Sequence, residues 1–257
     1  MKKTQLFCFI LFAFIIFCFC SCVSHTERPK ISPEEADDIP QVSGQDVLAP
    51  KKDKVFSENA VIQGSLIIDE NLRKTFPVFN PKDKNASDKA VQERLTDMAN
   101  NLLVNADFSG KVPMPQQIQV EIVELDELNS FSAGNQTIFI TRKMLDAAED
   151  SDQVASIIAH ELAHISLGHT LAFFDDSSKE KIKLSAEKCL YVMMEGYGDN
   201  AEFAADQETL AILKRSGKNP EAFVQFLRNI RPLIQEDSPD IASTHPHILQ
   251  RIANIAK

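Results

Sequence analysis

The stretch DSDQVASIIAHELAHISLGH, residues 150–169, decides how the chain folds. Asp150 and Gln153 have capping-box spacing ahead of it, which predicts a helix over roughly 152–170. At about 100° per residue, with His160 set at 0°, His164 falls near 40° and Glu161 near 100°. Val154, Ile157, Ile158 and Ile165 spread over about 60–160° of the same wheel. The Glu161 carboxylate therefore lies inside the apolar arc. Because a buried, uncompensated charge is costly, Glu161 must be protonated, be paired, or face a cavity that holds a cation or water.

Two imidazoles one turn away point to the cation. His160-Glu161-Leu162-Ala163-His164 fits the H-E-x-x-H pattern of zinc proteases. Histidines four apart project from one helical face, so two neutral ring nitrogens can reach one ion. Glu161 points to the adjacent position, where it can take a proton from water rather than bind the metal. A third ligand is needed to complete such a site.

Downstream, Ala201 to Arg215 reads as a second helix, preceded by Asp199 or Asn200 and followed by Gly217. Glu202 and Asp206 stand one turn apart on it and share a face. Glu202 has a bland reading as the reciprocal capping partner of Asp199, and Asp206 one as a solvated charge. With His160 and His164, however, Glu202 completes the His₂Glu set of a catalytic zinc site with an open fourth position. Asp206 can then orient a ligand imidazole from outside that set.

Upstream, Val91, Leu95, Met98 and Leu102 place one apolar stripe on a helix of about 88–104 that begins after Ser87. Ile118, Val120 and Ile122 alternate with polar residues as in a half-buried strand. Asn129 to Ala133 and Gln136 to Ile140 flank Gly134-Asn135 as a two-residue hairpin turn. Three antiparallel strands are expected, followed by a short helix capped by Thr141 and running to about Ala148.

The first fifty residues read differently. Lys2 and Lys3 precede an unbroken apolar run from Leu6 to Cys20, the profile of a secretory signal and short for a spanning helix. Ser21 before Cys22 resembles a bacterial lipoprotein cleavage site, so Cys22 is expected to be acylated at the mature N-terminus; an uncleaved anchor is the alternative. From Val23 to about Lys54, Pro29, Pro33, Pro40, Pro50 and the acidic run Glu34 to Asp38 suggest a flexible tether. The competing reading is an N-terminal extension packed on the domain, because Val55 to Ile68 regains strand-like apolar character. The expected organisation is thus a signal peptide at 1–21, a tether at 22–54 and a catalytic domain at 55–257.

Composition agrees with one folded body. The chain has 257 residues, 44% apolar and 25% charged, with 8 Gly and no Trp, which gives no collagenous or propeller signature. Its net charge of −10 becomes −12 once the two lysines of residues 1–21 are removed, which argues against nucleic acid as a partner. Cys8, Cys18, Cys20 and Cys22 all lie in the leader and only Cys189 in the body, so the body can form no internal disulfide.

These residues resemble the HtpX-like zinc metallopeptidases, metallopeptidase family 48, which are gluzincins. The resemblance rests on several motifs in the family's order: His160-Glu161-Leu162-Ala163-His164 with Gly168-His169, Gly196-Tyr197-Gly198 leading to Glu202-Phe203-Ala204-Ala205-Asp206, and Ser243-Thr244-His245-Pro246 with Arg251-Ile252. Phe131-Ser132-Ala133 and Ile138-Phe139-Ile140-Thr141-Arg142 also look like its edge-strand hairpin. The likeness covers about 85–257. No apolar run after Cys22 approaches a spanning length, so the chain is similar to an exported, lipid-anchored branch.

The resemblance implies an α+β fold: a mainly helical zincin-like domain with a small antiparallel sheet whose edge strand borders the active-site helix. It implies one Zn2+ per chain on His160, His164 and Glu202, and peptide-bond hydrolysis with Glu161 as general base and later proton donor. His245 or Arg251 would lie near the developing oxyanion or brace the ligand helix; the alternative is a loop end at His245 and a surface ion pair at Arg251. His169 and His247 are expected to be structural or exposed. Asn129, Ser130, Phe131, Ser132 and Ala133 would offer a free edge to an extended peptide, unless that edge is covered. Unfolded or misfolded polypeptides are then the expected partners, at the cell envelope and with a lipid in the membrane, facing the periplasm from the outer membrane. A noncatalytic assembly factor or holdase on the same fold is the competing function.

Overall fold

The computed structural model describes residues 58–75, 77–79, 86–109, 112–171, 197–234 and 248–255, all within one compact unit, Ser43–Lys257. The leader, Cys22, the tether, Cys189, His245 and His247 lie outside the described residues. The elements are α1 (Glu58–Thr75), α2 (Ala86–Leu103), β1 (Gln119–Val123), β2 (Ser130–Ala133), β3 (Thr137–Thr141), α3 (Arg142–Asp146), α4 (Ser151–Ser166), α5 (Asp199–Arg215), α6 (Glu221–Ile230) and α7 (Ile248–Ile255). Short 3-10 turns occupy Pro77–Phe79, His169–Leu171 and Arg231–Leu233. Among the described residues no helix is long and apolar enough to cross a membrane.

The fold is α+β and mostly helical, with three strands, but the sheet is mixed rather than antiparallel. Its order is β1-β3-β2: β3 pairs antiparallel with β2 and parallel with β1. The reason lies in β3, whose five residues are all buried. An uninterrupted Ile138-Phe139-Ile140 run suits a strand covered on both faces, so β3 takes the centre and β1 the far edge.

One face of the sheet packs on α2 and α4 through Val120, Ile122, Ile138 and Ile140. The other is covered by α1 and the Pro77–Phe79 turn, where Phe79, Phe131 and Phe139 cluster with ring centroids 5.2–5.7 Å apart. β1 is therefore buried on both faces, not half-buried. Glu121 is accommodated because Arg73 of α1 donates to its two oxygens at 2.6 and 3.2 Å.

Residues 58–68 are helical, where Val55 to Ile68 had suggested a strand. Val61, Ser65, Ile68 and Leu72 are buried at helical spacing, and that face lies against the sheet. The turn between β2 and β3 has three residues, not two, because Ala133 pairs with Thr137 and leaves Gln136 in the loop. Ser65 fixes this turn: its hydroxyl donates to Asn135 Oδ1 at 2.8 Å and accepts from Asn135 N at 3.0 Å. Gly134 sits here at φ 63°, and a Cβ would come 2.6 Å from the Ser65 backbone.

The outer edge of β1 is closed by a polar stripe on α2. Gln92, Thr96 and Asn100, spaced four apart, accept from the N–H groups of Ile122, Val120 and Ile118 at 3.3, 3.0 and 2.9 Å. This edge cannot accept another strand. The remaining edge belongs to β2, beside α4.

Candidate active site

α4 starts where expected, with Asp150 as N-cap accepting from the N–H groups of Asp152 and Gln153. Gln153 accepts from Glu149 N rather than from the cap itself. The helix ends earlier than the periodicity suggests, at Ser166, because Gly168 adopts φ 78° and turns the chain into the His169–Leu171 turn. From Ala155 to Ser166 every α4 side chain is buried, since α2, β2, α5 and α6 all pack on it.

α5 begins at Asp199, after Gly198 at φ 86°, and ends in a Schellman turn in which Lys218 N donates to Leu213 O and Gly217 N to Lys214 O. Asp199 is thus inside the helix, and the helix has no side-chain cap. Glu202 is not spent on capping: its carboxylate is buried against α4, at the positive end of the α5 dipole.

Three residues with ligand-type atoms converge. His160 Nε2 and His164 Nε2 are 3.1 Å apart, Glu202 Oε2 is 3.3 Å from the first, and Oε1 is 3.5 Å from the second. Ligand atoms of the three residues all lie within 4.8 Å of one another. Donors held about 2.0–2.1 Å from a tetrahedral ion stand about 3.3–3.4 Å apart, so the set fits such a cation. The donor chemistry agrees, since two facing imidazole nitrogens and a carboxylate are acceptors that only a proton or a cation can reconcile.

The electrostatics suit this fit. Burial pushes His164 well below the usual imidazole range, with Glu202 opposing the shift and not reversing it, so the ring is a neutral donor at pH 7. Burial alone would raise the Glu202 carboxyl, but His164, His160 and Arg251 outweigh it and hold the group well below the carboxylate range. Glu161 behaves in the opposite way: burial raises it, opposed by its His160 neighbour and by hydrogen bonding from Ser130. It is a carboxyl with raised proton affinity, 3% exposed, whose Oε2 has no hydrogen-bond partner.

Ser130 supplies the partner for the other oxygen, donating from Oγ to Glu161 Oε1 at 2.8 Å. Thr141 N donates to Asn129 O across the ladder, so by alternation the main-chain groups of Ser130 and Ser132 point to the free side of β2. Phe131 and Ala133 turn their side chains the other way, Phe131 into the aromatic cluster. The expected edge therefore lies beside Glu161. It is not bare: the Tyr197 hydroxyl donates to Ser132 O at 3.4 Å, and its ring stacks on His164 with centroids 4.4 Å apart.

Asp206 is wholly buried, with Oδ1 3.4 Å from His160 Nδ1. Thr209 Oγ1 stands 3.4 Å from the same nitrogen, and the His160 ring stacks on Phe223 of α6. Arg251 of α7 is not on the surface. It is 13% exposed, donates twice to Asp206, and brings Nη2 to 3.3 Å of His160 Nε2 and Nη1 to 3.7 Å of Glu202 Oε2. Burial disfavours its charge, but Asp206 and Glu202 more than restore it.

Of the two expectations for His169, structural or exposed, the structure gives a buried residue. It is 5% exposed, and its Nδ1 lies 2.9 Å from His164 Nδ1. Burial pushes its imidazole down to about 4. The sequence signal was present in Gly168, whose turn ends the helix just before it. Thr209 carried no comparable signal, and Ser130 and Tyr197 were placed on the substrate edge and in a family motif without their contacts to Glu161 and His164, because each reaches the site through tertiary packing.

Residues 86–175 and 172–257 match the family model described as Peptidase family M48. The chain belongs to peptidase family M48. M48 peptidases are metal-dependent, and among the described residues His160, His164 and Glu202 form a group that could hold the metal. Among curated proteins the chain is 21% identical over 158 residues to the beta-barrel assembly-enhancing protease of Escherichia coli (strain K12), a match covering 52% of this chain and 32% of that protein. The proteins of the same description in Shigella flexneri and Escherichia coli O157:H7 match with the same figures. The chain thus spans about a third of the length of the curated relatives it matches.

Proposed function

We propose that this M48 chain is a zinc endopeptidase of the bacterial cell envelope, anchored through a lipid on Cys22, that cleaves misfolded or unassembled exported proteins. The observation that carries the reading is the meeting of His160, His164 and Glu202 beside the half-satisfied carboxyl of Glu161. A zinc ion held by these three would polarise a scissile carbonyl and make water acidic enough to attack it.

The chain's own residues do the rest. Glu161 takes a proton from the attacking water and later gives it to the departing amine, a cycle that suits its raised proton affinity. Ser130 holds Oε1 during this cycle and leaves Oε2 to exchange the proton. An extended peptide adds to the outward groups of Ser130 and Ser132, displacing Tyr197 from Ser132 O. Main-chain pairing selects extended conformation over sequence, which favours unfolded clients. The envelope assignment is supported by the Leu6–Cys20 leader and by the likeness to beta-barrel assembly-enhancing proteases.

Glu161→Gln in the full chain should bind zinc and lose hydrolysis of an unfolded test protein. Unchanged turnover would contradict the mechanism. Capture of the unfolded protein without cleavage by zinc-loaded wild type would instead establish the holdase.

A further inference from the structure

We infer that His169 is a positioning residue of the metal site, accepting the Nδ1 proton of His164 and so fixing the tautomer that offers Nε2 to the cation. This rests on the metal site proposed above. The two Nδ1 atoms are 2.9 Å apart in a part of the molecule closed to water, a separation that requires one proton between them. A neutral imidazole carries that proton on one nitrogen only. If His169 donated, His164 would carry its proton on Nε2, aimed at His160 Nε2 3.1 Å away and at the ligand point, and no cation could bind there. If His164 donates, both needs are met.

The backbone is shaped for this contact. On a continuous helix a residue five positions after His164 would lie about 140° around the axis, away from it. Gly168 at φ 78° ends α4 and folds His169 back, and a Cβ at Gly168 would press on Val112 Cγ2 at 2.9 Å. The two ligand imidazoles are thereby oriented by different groups: His160 faces the Asp206 carboxylate and Thr209, whereas His164 faces another imidazole. With Glu202, Asp206 and Glu161 already buried here, a neutral acceptor orients the second ligand without adding another anion.

The test uses the full chain with zinc as the probe. His169→Leu, which keeps bulk and removes the acceptor, should weaken zinc affinity by about 10- to 100-fold in chelator competition. His169→Asn, whose Oδ1 can stand near the lost Nδ1, should recover most of that loss. The thermal midpoint of the metal-free variants separates this from a packing defect: the affinity difference should exceed any difference in stability. On the wild type, nitrogen-15 spectra of the zinc-loaded protein should show the His164 Nδ1 proton coupled across the hydrogen bond to His169 Nδ1. A protonated His169 Nδ1, or a His169→Leu variant that binds zinc as tightly as wild type, overturns the inference and leaves the metal site standing. A wild-type chain that takes up no zinc overturns the metal site itself.

Discussion

Arg251 holds Asp206 through two hydrogen bonds, Nη2 to Oδ1 at 2.6 Å and Nε to Oδ2 at 3.0 Å, and so ties α7 to the helix that carries Glu202. Asp206 has no exposure to water, and removing its partner would leave a buried charge. Arg251→Met should therefore destabilise the protein by about 3–5 kcal/mol, and Arg251→Met with Asp206→Asn should recover part of the loss. Urea unfolding of the single and double variants measures both. A single variant within about 0.5 kcal/mol of wild type would show that the pair is not what holds the helices together.

Ser130 donates to Glu161 Oε1 at 2.8 Å, and the Ser132 hydroxyl is a weaker influence on the same carboxyl. Ser130→Ala should lower kcat on the order of tenfold, equivalent to one charge-assisted hydrogen bond of about 1.5 kcal/mol, with KM little changed. Steady-state kinetics on an unfolded substrate decide this; an effect confined to KM would place Ser130 in binding alone.

Glu161 also predicts a pH dependence of stability in the metal-free protein. Burial raises its folded-state affinity for the proton above the ordinary value of 4.5. The folded state therefore binds more protons than the unfolded state between the two values, and stability falls as pH rises across that window. Glu161→Gln removes the titration, so its stability relative to wild type should increase from pH 4.5 upward and then level off. Thermal midpoints across pH 4–8 test the sign: a variant that is relatively less stable as pH rises contradicts it.

Gly134 supports the site from a distance. An Ala there faces a positive φ and the Ser65 backbone, and should cost about 1–3 kcal/mol, read as a thermal midpoint lower by several degrees. Ser65→Ala with Gly134→Ala should not restore it, because the clash includes the Ser65 Cα. A Gly134→Ala protein as stable as wild type would mean that α1 does not press on this turn.

Much of the catalytic side was legible in the residues because it is local. His160, Glu161 and His164 share one helix, and 3.6-residue periodicity alone placed the carboxyl in an apolar arc. Glu202 and Asp206 could be paired with them because they too obey helical spacing. The sheet was less legible. Strand alternation reports burial of one face, and it misled at β1 because the second face is covered by α1 through an ion pair, Arg73 with Glu121, that joins residues 48 apart. Strand order is likewise set by which edges find cover, here the Gln92, Thr96 and Asn100 stripe of α2, and no local pattern announces that. His169 was expected to be structural or exposed, and it is buried against His164; the contact itself was not legible, because Gly168 folds the chain back through a turn that helical spacing does not describe.

In the proposed metal site, α4 and α5 bring two imidazoles and a carboxylate to one divalent cation. Counting zinc per chain after exhaustive dialysis tests it most directly, in wild type beside Glu202→Ala. One zinc is expected in the wild type and almost none in the variant, with the variant still folded by circular dichroism. A wild type that holds no zinc, or a Glu202→Ala chain that retains it with undiminished affinity, would contradict it.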